Sequence, residues 1–453
     1  MKKILLLITL LFSLSFSLTS AETAEEYFNQ GAQLVKEKKY EEAIKSYTKS
    51  IELNPSLLEA YGNRGLAYAK NHHYDHAILD FTVVIKHNSS DRNAYLLRGA
   101  SYFEIQKYEQ SIQDFSKAIE LNPKDSYSYT LRGISLGKLN LHKQALLNFT
   151  KAVELQPNDF KVYYNRSMSY NALSYNIEAI QDFTKVIELN PTDSNYYQQQ
   201  GHIYFLNKQY DLALENYSKS IELNPNSSIL YDFRATCYRL LKQYDHAISE
   251  YTKAIELEPK AAYYASRAVS YLWQAQYSLA EADLTKAIEL SPKALHYANR
   301  ARTYQLQKEY LRAEADINNA IELEPTNPKY YDVRSDLFEE LKDYPKAISD
   351  ISKAIELDPT SSNYYNSRAW SYYLYKKYDL ALPDVLKALE LNTKNFNAHD
   401  TAAWIYDALG NKEKAIYHFE KYLDIVAKED SSILKKHQEN IEKIKKRLTE
   451  LKK

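Results

Sequence analysis

The sequence predicts an all-α protein built from tandem helix pairs. Three observations predict it. The motif IELNP and its variants end at Pro55, Pro123, Pro157, Pro191, Pro225, Pro259, Pro292, Pro325 and Pro359, with Ser89 and Thr393 in the same slot. The step is 34 residues, except for two steps of 33, Pro259 to Pro292 and Pro292 to Pro325. Each interval holds two segments of helical apolar period with a turn between them.

Before the first repeat stands MKKILLLITLLFSLSFSLTSA. Lys2 and Lys3 form a charged start, Ile4 to Leu18 an apolar run of 15 residues, and Thr19-Ser20-Ala21 a small-residue cleavage site. Residues 1–21 therefore read as a secretory signal peptide. The run is short for a membrane span, which needs about 20 apolar residues, and an uncleaved inner-membrane anchor is the alternative. Loss of Lys2 and Lys3 takes the formal charge from −1 to −3. The composition is globular, 26% charged and 45% apolar. No basic excess draws the chain to nucleic acid phosphates. Cys237 is the only cysteine, so the fold uses no internal disulfide. The expected destination is the periplasm or the outside of the cell.

Twelve repeats occupy residues 22–427, the first starting near Ala24. Counted from that start, the eighth position is always small (Gly31, Gly65, Gly99, Gly133, Ser167, Gly201, Ala235, Ala268, Ala301, Ser335, Ala369, Ala403). The twentieth is Ala in eleven repeats and Ser111 in the other. Small residues in both slots let two helices approach closely. Tyr dominates the eleventh position and is frequent at the seventeenth, so most of the 43 Tyr serve packing.

These features resemble the tetratricopeptide repeat, over nearly the whole chain after the leader and of an exported bacterial type. The resemblance implies antiparallel helix pairs in a right-handed α–α superhelix of one solenoid. Its concave groove is lined by positions 2, 5, 9, 12 and 13 of each first helix. Residues 428–453 follow as an amphipathic helix, with Leu434, Ile441, Ile444, Leu448 and Leu451 on one face and nine Lys/Arg against five Asp/Glu. It reads as a capping helix, with a membrane-surface or coiled-coil segment as the alternative.

An arginine recurs at the seventh position, and sixteen residues on stands an acid: Arg64 with Asp80, Arg98 with Asp114, Arg166 with Asp182, Arg234 with Glu250, Arg267 with Asp283, Arg300 with Asp316, Arg334 with Asp350 and Arg368 with Asp384. Arg132 faces Asn148. The repeats with Gln30, Gln200 and Ala402 in place of Arg carry Ser46, Asn216 and His418, none acidic. An unpaired charge near a helix interface costs several kcal/mol, so the two types should come and go together. The arginines are predicted to be frame, each paired across its own helix pair.

No catalytic motif is present: no P-loop, dinucleotide turn, HExxH or nucleophile elbow. Cys237 sits where other copies carry Ser and reads as packing. His72, His73 and His76 straddle a turn and read as solvent-facing, although His72 and His76 have metal-ligand spacing. No cofactor and no metal is expected. The carboxylate clamp that the resemblance would imply, a Lys at position five and an Asn at position nine, is not present as a pair. Groove positions are neutral or basic early (Lys36, Lys70, Lys138 and Lys161, with Asn63 and Asn165 beside them), Glu59 and Glu104 excepted, and acidic late. Asp332, Asp336, Glu339 and Glu340 fall together, Asp400 and Asp407 follow, and Trp273, Arg302, Trp370, Tyr373 and Trp404 share the same positions. Aromatic anchors beside charge predict a site for a basic peptide segment of a protein partner. Against it stands the reading in which Trp370 and Trp404 only fill gaps between helices. The expected function is a non-enzymatic scaffold of the cell envelope. The alternative is an adaptor subunit of an enzyme or of a secretion or assembly complex whose catalytic part is another chain. Membrane contact is expected only through the leader or the C-terminal helix.

Overall fold

The computed structural model describes residues 22–428 and 431–453. The signal-peptide reading of residues 1–21 lies outside the described residues. All regular structure among the described residues is α-helical, and none of these helices is long and apolar enough to cross a membrane. The chain divides into two compact units, Met1–Pro225 and Asn226–Lys453. The first holds six helix pairs, from Ala24–Lys36 with Tyr40–Leu53 to Ser194–Leu206 with Tyr210–Leu223. The second holds six more, from Ser228–Leu240 with Tyr244–Leu257 to Phe396–Ala408 with Lys412–Val426, and then Ser431–Leu451. Within each unit consecutive pairs pack as a solenoid.

Local chemistry sets the helix boundaries. Asp91, Asp125, Asp159, Asp193, Asn327 and Asn395 cap first helices by accepting from backbone N–H groups that have no partner inside the helix. The turn inside each pair needs one left-handed residue. Lys38, His72, Gln106, Asn140, Ser174, Lys208, Lys242, Ala275, Lys308, Lys342 and Lys376 adopt it with φ of 56 to 63°, and only the last repeat uses glycine there, Gly410 at 77°.

Close approach inside each pair rests on the eighth position. A Cβ at Gly133 would stand 2.7 Å from the Phe149 ring, and one at Gly31 would stand 2.8 Å from the Tyr47 ring. Position 24 supplies those rings, all nearly solvent-free. Where position 24 shrinks to Leu284, Ile317, Ile351 or Val385, position eight grows to Ala268, Ala301, Ser335 or Ala369. In these four repeats the volume at the contact is roughly conserved, whereas Ser167, Ala235 and Ala403 keep a full ring at position 24 (Phe183, Tyr251 and Phe419).

The final helix docks by the apolar stripe read from its sequence. Ile444, Leu448 and Leu451 are buried against Ala403, Tyr406, Ala415, Phe419, Tyr422 and Val426, with Leu434 and Ile441 partly buried beside them.

Candidate functional site

The repeated arginines and the groove carboxylates differ in what surrounds them. In all eight Arg–acid repeats the guanidinium meets its carboxylate two-pronged, through Nε and Nη2, at 2.6 to 2.9 Å. The third prong was not foreseen. Nη1 donates to a hydroxyl or amide on the second helix of the preceding repeat: Arg64 to Thr48, Arg98 to Thr82, Arg267 to Thr252, Arg300 to Thr285, Arg334 to Asn318 and Arg368 to Ser352. In five repeats the fork lies between two Tyr rings, as Arg64 does between Tyr61 at 5.5 Å and Tyr68 at 5.9 Å. Each of these six arginines thus ties one helix pair together and bonds it to its neighbour. Its donors are committed inside the frame.

The exceptions follow the same logic. Arg132 donates to Asn148 Oδ1 at 2.7 Å and to Ser116, and burial without a carboxylate lowers its pKa. Gln30 accepts from Ser46 at 3.1 Å, a neutral bond in the same place. Gln200 donates to Thr184, while Asn216 turns to its own helix at Leu212. In the last repeat Ala402 packs fully buried in an apolar cluster, and His418 turns to His399 instead.

The acidic groove positions of the tenth repeat meet no such cation. Asp332 is half-buried on Pro328–Glu340. Burial, with Asp336 beside it, pushes its pKa up to about 7 despite the Ser367 hydroxyl. Burial also pushes Glu339 to about 7, against a short hydrogen bond from Ser371 Oγ and with Asp336 and Asp332 adding to the rise. Asp336 is raised by burial and by Glu340, while Arg302 opposes the rise. Arg302 itself donates to Gln305 Oε1 at 2.7 Å, and Gln305 donates to Glu340 Oε1 at 2.9 Å. Five of the singled-out groups, Arg302, Asp332, Asp336, Glu339 and Glu340, therefore form one patch across the ninth and tenth repeats. Burial first, and neighbouring acids second, raise Asp332 and Glu339 to about 7.

Trp370 stacks on Tyr373 with centroids 5.1 Å apart, and Tyr373 feels the charges of Asp407 and Asp400. Asn366, at position five between these walls, holds a buried side-chain oxygen with no hydrogen-bond donor. Trp273 is 68% exposed and lies flat on Tyr244 of the preceding repeat, 6.0 Å away and 2° from parallel. Asp232, at the fifth position of the seventh repeat, was passed over in the sequence. Burial pushes it up to about 6 against Arg239 and Lys260. Its only sequence signal is the position it shares with Asp332 and Asp400.

The structure corrects three of the groove residues. Asp400, Trp404 and Asp407 do not face an open groove, because the chain's own final helix covers them. Asn440 donates to Asp400 Oδ2 at 2.8 Å, and the Lys443 ammonium sits 4.6 Å over the Trp404 ring. Arg447 grips Asp407 two-pronged at 2.8 and 2.9 Å. Trp404 also packs edge-on against Phe419. A solenoid end must be covered, and the helix that hides the apolar end also carries the cations that answer these acids. The sequence signal was the excess of Lys and Arg in residues 428–453.

His72 bonds Tyr74 Oη at 2.9 Å and His76 stacks on Tyr68 at 5.0 Å. No group of three or more His, Cys, Asp or Glu among the described residues comes together as a metal cage. Cys237 is buried, which pushes its thiol up to about 12.

Family models match much of the chain. A TPR repeat model covers residues 31–71, and tetratricopeptide repeat models cover 93–125, 160–193, 194–227, 230–260, 297–327, 328–361 and 397–426. Among solved structures the chain is similar to yeast Tom70, with 18% identity over 95% of each chain and a TM-score of 0.46. It is similar to the Cut9–Hcn1 hetero-tetramer of APC/C, with 15% identity over 92% of this chain and 96% of that one and a TM-score of 0.43. It is also similar to YrrB, described as a TPR protein with an unusual peptide-binding site, with 25% identity over 43% of this chain and 97% of that one and a TM-score of 0.38. No curated protein matches it. Repeat spacing, paired helices and family matches in both units converge on one conclusion: the chain belongs to the tetratricopeptide repeat family.

Proposed function

We propose that this protein is a non-enzymatic scaffold that binds a basic peptide segment of a partner protein on the first-helix face of repeats nine to eleven. The observation that carries this is the unanswered acidity of Asp332, Asp336 and Glu339. Their carboxyls are raised by burial and mutual repulsion, with hydroxyls and one amide-held arginine nearby instead of a full complement of cations. A lysine or arginine side chain arriving there would relieve that repulsion and favour the ionised acids. Trp370 and Tyr373 offer flat apolar surface alongside. The covered twelfth repeat supports the choice of a basic partner, since a basic helix already answers the acids at the same positions there.

A cleaved leader would put this scaffold outside the inner membrane, where it would serve envelope or surface assembly. Sequencing the N-terminus of the protein recovered from the periplasmic or secreted fraction tests that part. A start at Glu22 supports export with cleavage, and an intact leader in the membrane fraction replaces it with an anchored form.

The binding claim is tested by affinity capture from an envelope extract. The wild type is compared with the quadruple variant Asp332→Asn, Asp336→Asn, Glu339→Gln, Glu340→Gln. The expected result is a partner held by the wild type and weakened at least about ten-fold by the variant. Capture by the wild type should fall as pH drops below about 7, where Asp332 and Glu339 take up protons. Equal capture by both proteins would remove the binding site from this face.

A further inference from the structure

The twelfth repeat departs from the frame at every polar position at once. In eight repeats Tyr at position four, Arg at position seven and an acid at position 23 make the tie. Here the same positions hold His399, Ala402 and His418. The two imidazoles line a cavity of about 710 Å³, against about 570 Å³ beside Gln200 and Asn216 and about 390 Å³ beside Arg132 and Asn148.

A second departure changes the charge around that space. In nine repeats a Lys at position 26 pairs with a Glu three residues on, as Lys387 does with Glu390 at 2.7 Å. The twelfth repeat carries Asp424 in place of that Glu. Asp424 pairs with Lys428 instead, at 2.8 Å. Lys421 is released and extends over the Tyr417 ring at the cavity wall. Lys394 lines the opposite side from the inter-repeat loop. No carboxylate among the described residues forms an ion pair with Lys394 or Lys421.

The floor of the cavity is a buried imidazole pair. His399 Nδ1 and His418 Nδ1 are 2.9 Å apart, and His399 Nε2 lies 3.2 Å from the Thr393 carbonyl oxygen. A carbonyl only accepts, so His399 Nε2 carries the proton of its ring. His399 Nδ1 must then accept from His418 Nδ1–H, which leaves His418 Nε2 as a lone pair. Burial and the nearby lysines hold both rings neutral: His418 is lowered to about 4, with His399 and Lys414 adding to burial, and His399 is lowered with Lys421 adding. The groups facing the pair are Tyr406 from the first helix, Lys414, Tyr417, Lys421 and Asp424 from the second, Lys394 from the loop, and Lys428 beyond. The balance is cationic, and an anion is what the site lacks.

We propose that this cavity binds a small oxyanion, a phosphate or a carboxylate group, held by Lys394, Lys421 and the His399–His418 pair. The anion takes the place that the position-23 acid fills in the other repeats. Its negative charge favours protonation of His418 Nε2, which then donates to it, so binding takes up a proton. None of these residues lies at a groove position, and the site stands or falls independently of the peptide-binding face.

The test uses the full chain and inorganic sulfate, which keeps its double charge across the pH range used. Imidazole ¹H–¹⁵N signals and calorimetric titration are followed at about pH 7.5 and about pH 5.5. The expected result is saturable binding that tightens at the lower pH and shifts the His399 and His418 signals. Lys421→Gln should weaken binding about ten-fold, the effect of one charge-assisted bond. The double variant Ala402→Arg, His418→Asp rebuilds the frame pair and fills the cavity. It should keep or raise the thermal midpoint and lose the sulfate response. Comparing phosphate with citrate then assigns the ligand: tighter phosphate names a phosphate group, and tighter citrate names a carboxylate. A sulfate response no larger than that of chloride at matched ionic strength overturns the proposal. So does a response that survives undiminished in the filled, folded variant.

Discussion

The tenth and twelfth repeats place acids at the same first-helix positions, and they meet opposite fates. Asp407 is gripped by Arg447 from the chain's own last helix, and Asp400, raised by burial, takes the Asn440 amide with the Lys443 charge nearby. Asp332 and Glu339 receive hydroxyls from Ser367 and Ser371 and stay protonated up to about pH 7. An acidic position in this fold therefore becomes a site only where the chain itself supplies no cation. The frame acids at position 23 make a third case, since each faces an arginine built into its own repeat.

The sharpest way to separate frame acids from groove acids is to remove one of each. Asp350→Ala strands the Arg334 guanidinium at a mostly buried helix contact and should cost about 3 kcal/mol in denaturant unfolding. The companion Arg334→Met, Asp350→Leu should recover most of that loss. If Asp350→Ala costs no more than a surface substitution, these pairs are not structural.

Arg447→Ala tests the covered end. Arg447 is 37% exposed, so solvent screening limits the expected loss to about 1 kcal/mol. The loss should appear locally, as faster amide exchange in Ser431–Leu451 with little change in the tenth repeat. Uniform loss across both would mean that the final helix is coupled to the repeats far more widely than its contacts imply.

The smallest effect belongs to the groove acids. Their folded pKa values lie above the unfolded ones, so the folded state holds extra protons. The resulting stability is complete below about pH 4 and is lost as pH rises through about 7. Asp332→Asn with Glu339→Gln should flatten that slope and, at about pH 8, stabilise the protein by up to about 1 kcal/mol. The buried histidines run the other way. Their lowered pKa values make stability fall as pH drops from about 6.5 toward about 4, and the refilled twelfth repeat should remove that acid sensitivity.

Much of this was legible in the chain because a repeat reports on itself. The small eighth position, the Ala at position 20 and the Arg–acid register recur at fixed spacing, and each recurrence answers one steric or electrostatic demand. The turn residue was harder to see, since Lys342 and its counterparts take the left-handed conformation without the glycine that would have marked it. The third prong of the arginines carries a weaker signal, since the hydroxyl or amide recurs fifteen or sixteen residues before the arginine but bears no charge to mark it.

By itself the sequence determined the helix pairs, their close contacts and the pairing of Arg with acid, all of which depend on spacing along one chain. Only the tertiary structure decided which acids remain unanswered, because Asp407 and Arg447 lie forty residues apart and meet only when the last helix folds back. It alone decided, too, that Lys394, Lys421 and the His399–His418 pair gather around one cavity. The surrounding helices are held by their own packing, and the space between them is lined by charge.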